Sequence, residues 1–130
     1  TIELGNRDKV MFTGQQHNPE DWMRAMDIFC LPSYANEGVP QAILQAMLCA
    51  LPIVTTPVGA ILEAVENGTS AIVVPPKNAD AMATAVADLL ADPMRAAQLG
   101  ATARRIASAD FSQETMLDSM ETIFRQAAPT

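Results

Sequence analysis

The residues best suited to chemistry cluster in one stretch, Asn36-Glu37-Gly38-Val39-Pro40-Gln41-Ala42-Ile43-Leu44-Gln45-Ala46-Met47. Gly38 lets the backbone come close to a ligand. Pro40 presets the first turn of a helix, which leaves the amides of Gln41 and Ala42 without intrahelical partners. Those amides point forward with the positive end of the helix dipole and make an anion site. Gln41, Gln45 and Cys49 recur at i, i+4 and i+8 on one face, and Ile43, Leu44, Met47 and Leu48 form the expected buried face. Eight helical residues span roughly 12 Å. Glu37 and Gln45 can therefore reach opposite ends of one extended ligand whose diphosphate lies at the helix start. An ordinary capped helix with a solvated polar face and one loop acid accounts for the same residues.

The charge map bears on that choice. No Lys or Arg lies between Arg24 and Lys77. If the region binds phosphate, backbone amides do most of the local work and a cationic partner comes from elsewhere.

These residues need elements to position them. Lys9–Thr13, Asp27–Leu31, Pro52–Thr56 and Ala71–Val74 read as strands. The second is apolar on both faces, as a strand covered by helices on each side should be. Asn18-Pro19-Glu20-Asp21 starts a helix that runs to about Met26: a capping amide, a proline at the first position and two acids at the positive end. Further helices are expected over 40–50, 60–66, 79–91, 93–107 and 112–126, with a break at Asp92-Pro93 where proline lacks an N–H. Strands that alternate with helices pair in parallel, so the expected fold class is α/β: a Rossmann-like parallel sheet with helices on both faces. In such sheets ligands bind beyond the carboxyl ends of the strands. Those ends are Thr13-Gly14, Pro32-Ser33, Thr56-Pro57-Val58-Gly59 and Pro75-Pro76, all small or turn-forming. Turn chemistry alone would also place Gly and Pro there.

Composition removes several classes. The chain has 130 residues, 49% hydrophobic, with 8 Lys+Arg against 15 Asp+Glu and a net charge of −7. That is a globular composition, and the pI near 4.4 argues against a nucleic-acid partner, which needs a basic face. No apolar run approaches the roughly 18 residues of a membrane helix, and no signal peptide is visible in Thr1-Ile2-Glu3-Leu4. Cys30 and Cys49 sit in apolar runs and read as buried thiols in a reducing compartment. His17 is the only histidine and reads as a loop residue; no metal site is expected.

The run D-I-F-C-L-P-S-x3-E-G-V-P-x4-Q-A-M-x3-L-P-I-V-T-T-x-V-G-A-x2-E, followed by N-G-x2-A-I-V-V-P-P, resembles the C-terminal domain of group 1 (family 4) glycosyltransferases. These are retaining, nucleotide-sugar-dependent enzymes of the GT-B fold. The likeness covers Val10 to about Phe124 and implies donor binding by the segments above. The family's E-x7-E motif puts its first glutamate, near the donor sugar hydroxyls, on Glu37, the candidate catalytic residue. The second falls on Gln45, which keeps hydrogen-bonding capacity for ribose but not the charged acceptor. Gly38 and Val39 match the turn whose amides face sugar and diphosphate, with Gln41 just beyond. Pro40 replaces a glycine there and removes one donor. Ala60 replaces the second glycine of the Gly-Gly pair that begins at Gly59. Gly14 matches the loop near the nucleobase and Ser33 a strand-end position near the donor. Glu63 matches an acid to which a structural role is given. Phe111-Ser112 matches part of an F-S-W motif, and a helix cap explains that serine.

The resemblance also implies what is missing: two further strand–helix units with the Arg and Lys that hold the donor phosphates, and the N-terminal acceptor domain. Residues 1–130 are then a partial nucleotide-sugar-binding domain, inactive alone, with bare sheet edges, a re-paired first strand or a homodimer. No cofactor beyond the nucleotide sugar is expected, since Asp27, Glu37 and Glu63 form no Mg²⁺-like cluster. The expected setting is cytoplasmic polysaccharide synthesis, with the parent protein peripheral at the inner membrane face. Two alternatives stand: a catalytically degenerate binding or scaffold subunit, consistent with Gln45 and Pro40, and a fragment of a sugar-nucleotide epimerase.

Overall fold

A computed structural model describes residues 5–36 and 38–127. Its centre is a parallel sheet of β1 (Phe29–Leu31), β2 (Ile53–Thr55) and β3 (Ile72–Val73), in the order β1-β2-β3. Phe29 pairs with Ile53 and Leu31 with Thr55, while Val54 pairs with Ile72 and Thr55 with Val73. The helices are α1 (Pro19–Arg24), α2 (Gln41–Leu48), α3 (Ile61–Ala64), α4 (Ala79–Ala91), α5 (Pro93–Asp110) and α6 (Gln113–Ala127).

Strand alternation sorts the core into two faces. Ile53 packs with Phe29, with Ile43, Ala46 and Met47 of α2, and with Ala103 and Ala107 of α5. Val54, one residue on, points the other way and packs with Ala85 and Leu89 of α4, Leu99 of α5 and Val74. β2 is buried throughout, as a central strand covered on both faces must be. The expected α/β layering is therefore observed.

Capping sets several boundaries. The Asn78 side chain accepts from the Ala81 amide at 2.9 Å and begins α4. Asp92 ends α4, and its Oδ1 accepts from the Arg95 amide at 3.0 Å to begin α5, with Pro93 at the first position. Ser112 Oγ accepts from the Thr115 amide at 3.1 Å, so the serine does act as a cap. α2 closes in a Schellman motif: the Leu51 amide donates to Ala46 O at 3.1 Å and the Ala50 amide to Met47 O at 2.9 Å. Ala50 occupies the left-handed position, at φ 56°, where glycine is usual.

Several expectations are corrected. Lys9–Thr13 is not a strand: Arg7–Lys9 form a 3-10 turn, and the following residues have no ladder partner among the described residues. Met11 and Phe12 are 78% and 84% exposed. A strand exists only through its neighbour, and this segment pairs with neither edge strand, β1 or β3, of the described sheet. Asn18 makes no side-chain cap; its Nδ2 donates to Asp21 Oδ2 at 2.6 Å, and α1 stops at Arg24. α3 stops at Ala64 because Val65 is extended and Glu66 is recruited into the next turn. There the Glu66 carbonyl accepts from Ser70 and its amide donates to Ser70 Oγ. α5 runs to Asp110 rather than 107. Cys30 is exposed, not buried, and Cys49 is half-buried; both are free thiols. Cys30 shares the face of its register partner Val54, but α4 packs on β2 and leaves that face of the outer strand open. Even so, desolvation raises the Cys30 thiol above its ordinary pKa.

Candidate functional site

Because all three strands run parallel, their carboxyl ends lie on one edge, at Pro32-Ser33, at Thr56 to Gly59 and at Val74-Pro75. Two threonines tie the first two ends together. Thr55 Oγ1 donates to Leu31 O at 3.0 Å, and Thr56 Oγ1 donates to Ser33 O at 2.6 Å. Thr55, Thr56 and Ser33 are all buried, so these bonds are shielded from water. Ser33 is therefore fixed at the end of β1 by its carbonyl.

The chain then passes to the expected anion corner. Glu37 lies outside the described residues. Gly38 is exposed, and a Cβ built on it would meet nothing within 4 Å, so this turn faces open space. Val39 is half-buried and packs against the α2 side of the core. Pro40 is the N-cap residue of α2, not its first helical residue: it is extended, at φ −68° and ψ 131°, and its carbonyl accepts from the Ile43 amide at 3.1 Å. The amides of Gln41 and Ala42 thus precede the first donor of the helix ladder. α2 has no side-chain cap and no acid in its first turn, so nothing within the helix neutralises its positive end.

Gln41 is exposed and Gln45 half-buried, four residues apart on the solvent-facing side. The buried face is Ile43, Ala46 and Met47, with Leu44 half-buried against the same core as expected; Leu48, also expected there, is 50% exposed. At about 100° per residue, Leu48 lies about 140° around the helix from Ile43, while Met47 lies about 40° away. Gly59 and Gly14 both adopt left-handed backbone, at φ 57° and 65°, and both are exposed. Gly59 turns the chain from β2 into α3. Gly14 sits in the unpaired N-terminal segment, where a Cβ built on it would meet nothing within 4 Å. Glu63 is exposed on α3, which fits a solvated acid. His17 is an exposed loop residue.

Sequence reasoning missed a further feature. A hollow of about 470 Å³ opens at the same edge, lined by Pro32, Tyr34, Thr56, Pro75, Lys77 and the start of α4. The Lys77 ammonium stands 5.4 Å from the Tyr34 ring centroid. A cation, Lys77, is thus present at this edge, beside Tyr34 and the start of α4. Its signal was the placement of Lys77 directly after the strand-ending Pro75-Pro76. Another hollow, of about 890 Å³, lies at the opposite edge between Gly68-Thr69 and the first turns of α5, and includes none of the expected site residues. Among the described residues no helix is long and apolar enough to cross a membrane.

Comparisons with known proteins identify the family. The family model described as "Glycosyl transferases group 1" matches residues 1–92. A D-inositol 3-phosphate glycosyltransferase of Thermobispora bispora is 36% identical over 108 residues, covering 82% of this chain and 25% of that protein. A lipopolysaccharide core biosynthesis mannosyltransferase, LpsB, of Rhizobium meliloti is 32% identical over 114 residues, covering 86% of this chain and 32% of that protein. Anabaena Alr3699/HepE, solved in complex with UDP, superposes with a TM-score of 0.93 at 26% identity, covering 96% of this chain and 34% of that one. The chain therefore spans about a quarter to a third of the length of the relatives it matches.

Proposed function

Since the chain belongs to the group 1 glycosyltransferases, we propose that its carboxyl-edge turns form the donor-binding part of a retaining enzyme. That enzyme moves a sugar from a nucleoside diphosphate to an acceptor hydroxyl. The observation that carries this reading is the start of α2: uncapped, free of acids and fronted by the open Gly38 turn. Such a corner stabilises the diphosphate as it departs with the charge of the broken glycosidic bond. The solved neighbour Alr3699/HepE carries UDP in one structure and UDP-glucose in another, which supports a ligand of this class.

In this reading the amides of Gly38, Val39 and Gln41 face the diphosphate, and Gln45 hydrogen-bonds the ribose. Gly14 approaches the base, Gly59 and Ser33 shape the wall, and Glu37 addresses the sugar hydroxyls. Pro40 supplies no N–H. No cofactor beyond the donor is called for, since the amides meet the phosphate charge. Residues 1–130 act as a partial domain, and turnover requires the acceptor domain and the basic pair of a longer parent protein. The outer edge of β1 is where the remaining strands of that domain, or a second copy of the chain, would add. The names of two relatives, a lipopolysaccharide core mannosyltransferase and a phosphatidylinositol monomannoside mannosyltransferase, support envelope glycan synthesis as the setting, which this reading places on the cytoplasmic side.

Gln41→Pro tests the reading. Proline is well tolerated at the first helical position, and Pro40 already has the extended backbone that a following proline demands. The variant therefore deletes one donor while keeping the helix. Calorimetry with UDP, GDP and ADP should show about tenfold weaker binding of the preferred nucleotide, the scale of one charge-assisted hydrogen bond. Unchanged affinity with an intact helix would remove the corner from the binding site.

A further inference from the structure

The hollow beside Lys77 points to a second ligand. We propose that it is an anion subsite, separate from the α2 corner, which takes the phosphate ester of a small polyol or sugar. Its volume of about 470 Å³ suits a compact molecule of that kind.

Charge is the first argument. The chain carries a net charge of −7, yet the lining of this hollow contains Lys77 and no carboxylate. Both ion pairs among the described residues, Arg24 with Asp21 and Arg125 with Glu121, lie elsewhere, and Lys77 has neither partner. Its ammonium rests against the Tyr34 ring, which holds a cation by its quadrupole without neutralising it. A full positive charge thus faces the opening.

Backbone geometry is the second. Lys77 adopts φ 57°, a left-handed conformation that costs a non-glycine residue about 1 kcal/mol. Immediately after it, Asn78 takes the Ala81 amide on its side chain and the Met82 amide on its carbonyl. The amides of Ala79 and Asp80 remain ahead of the α4 ladder, next to Lys77. Lys77 and Ala79 line the same hollow, the Asp80 carboxylate on the first turn of α4 is not in that lining, and Pro32, Pro75 and Met82 offer carbon surface to the rest of the ligand.

Strand alternation separates this place from the α2 corner. Val54 faces α4, and Thr56, two residues on, lines the hollow. Ile53 faces α2 and the Gly38–Gln45 segment. The two sites open at one edge on opposite faces of the sheet. The subsite stands whether or not the α2 corner binds a donor.

Tyr34 is the only tyrosine in the chain, so its ring signals in an NMR spectrum are unambiguous. Inorganic phosphate, glucose 6-phosphate and UDP are titrated separately into the chain at constant ionic strength. The expected result is a saturable shift of the Tyr34 ring with glucose 6-phosphate, weaker with phosphate, and no shift with UDP. Lys77→Met should weaken the glucose 6-phosphate response at least tenfold, and Lys77→Arg should retain it, with backbone spectra otherwise unchanged in both. A linear, non-saturating response would overturn the proposal, as would an equal response in Lys77→Met. Tighter binding of UDP than of glucose 6-phosphate at Tyr34 would assign the hollow to the nucleotide instead and refute a separate subsite.

Discussion

Gly100 of α5 rests directly on the peptide that joins Ala50 to Leu51. A Cβ on Gly100 would overlap the Ala50 carbonyl oxygen and stand 2.8 Å from its carbon. The contact joins the longest described helix to the corner between α2 and β2, and so fixes α5 across the end of the α2 layer.

Gly100→Ala should therefore destabilise the chain. Alanine is the better helix former by about 1 kcal/mol, but the obstacle is backbone and has nowhere to go. Overpacking of this kind costs roughly 1–3 kcal/mol, and the cost should win. Urea unfolding should show a lower midpoint; a raised midpoint would mean that α5 can lift without loss.

Ala50→Gly should act in the opposite direction. The Schellman turn holds Ala50 at φ 56°, and a glycine there removes about 1 kcal/mol of strain while keeping both hydrogen bonds. Thermal unfolding should move upward by a few degrees. An unmoved midpoint would show that the alanine methyl contributes packing equal to the strain.

Thr56→Val deletes the hydroxyl that holds the β1 end to the β2 end while nearly preserving shape. The 2.6 Å bond to Ser33 O is buried, so its loss costs about 1–2 kcal/mol. The larger consequence falls on Pro32–Val39, whose tether is cut. Amide hydrogen exchange in that loop should accelerate more than in α4 or α5; a uniform change across the chain would contradict a local tether.

Cys30 combines exposure with a raised thiol pKa, because its surroundings disfavour the thiolate. Iodoacetamide should modify it more slowly at pH 8 than a free thiol, with the deficit closing as pH rises. The linkage sign follows. The folded state holds its proton to higher pH than the unfolded state. The stabilisation from the neutral thiol is full below the ordinary thiol range and declines as pH rises through it toward the raised value. Alkylation as fast as that of an unfolded peptide would mean the thiolate is not disfavoured.

The amino-acid order alone determined whatever rests on neighbours a few residues apart. Asn78, Asp92-Pro93 and Ser112 start their helices through bonds spanning three residues. The apolar runs around Phe29, Ile53 and Ile72 mark the parallel strands whose ends form the edge. The open turn at Gly38 and the bare first amides of α2 follow from Gly, Pro and a first turn that carries no acid. Tertiary structure decided what depends on distant partners. Lys9–Thr13 has strand-like composition but pairs with no edge of the described sheet. Cys30 is exposed because α4 covers β2 and not β1. Lys77 meets Tyr34, Thr56 meets Ser33, and Gly100 meets Ala50 only because the sheet brings separate loops together. Local geometry is fixed by covalent spacing, whereas these contacts exist only once the packed sheet has set which segments lie side by side.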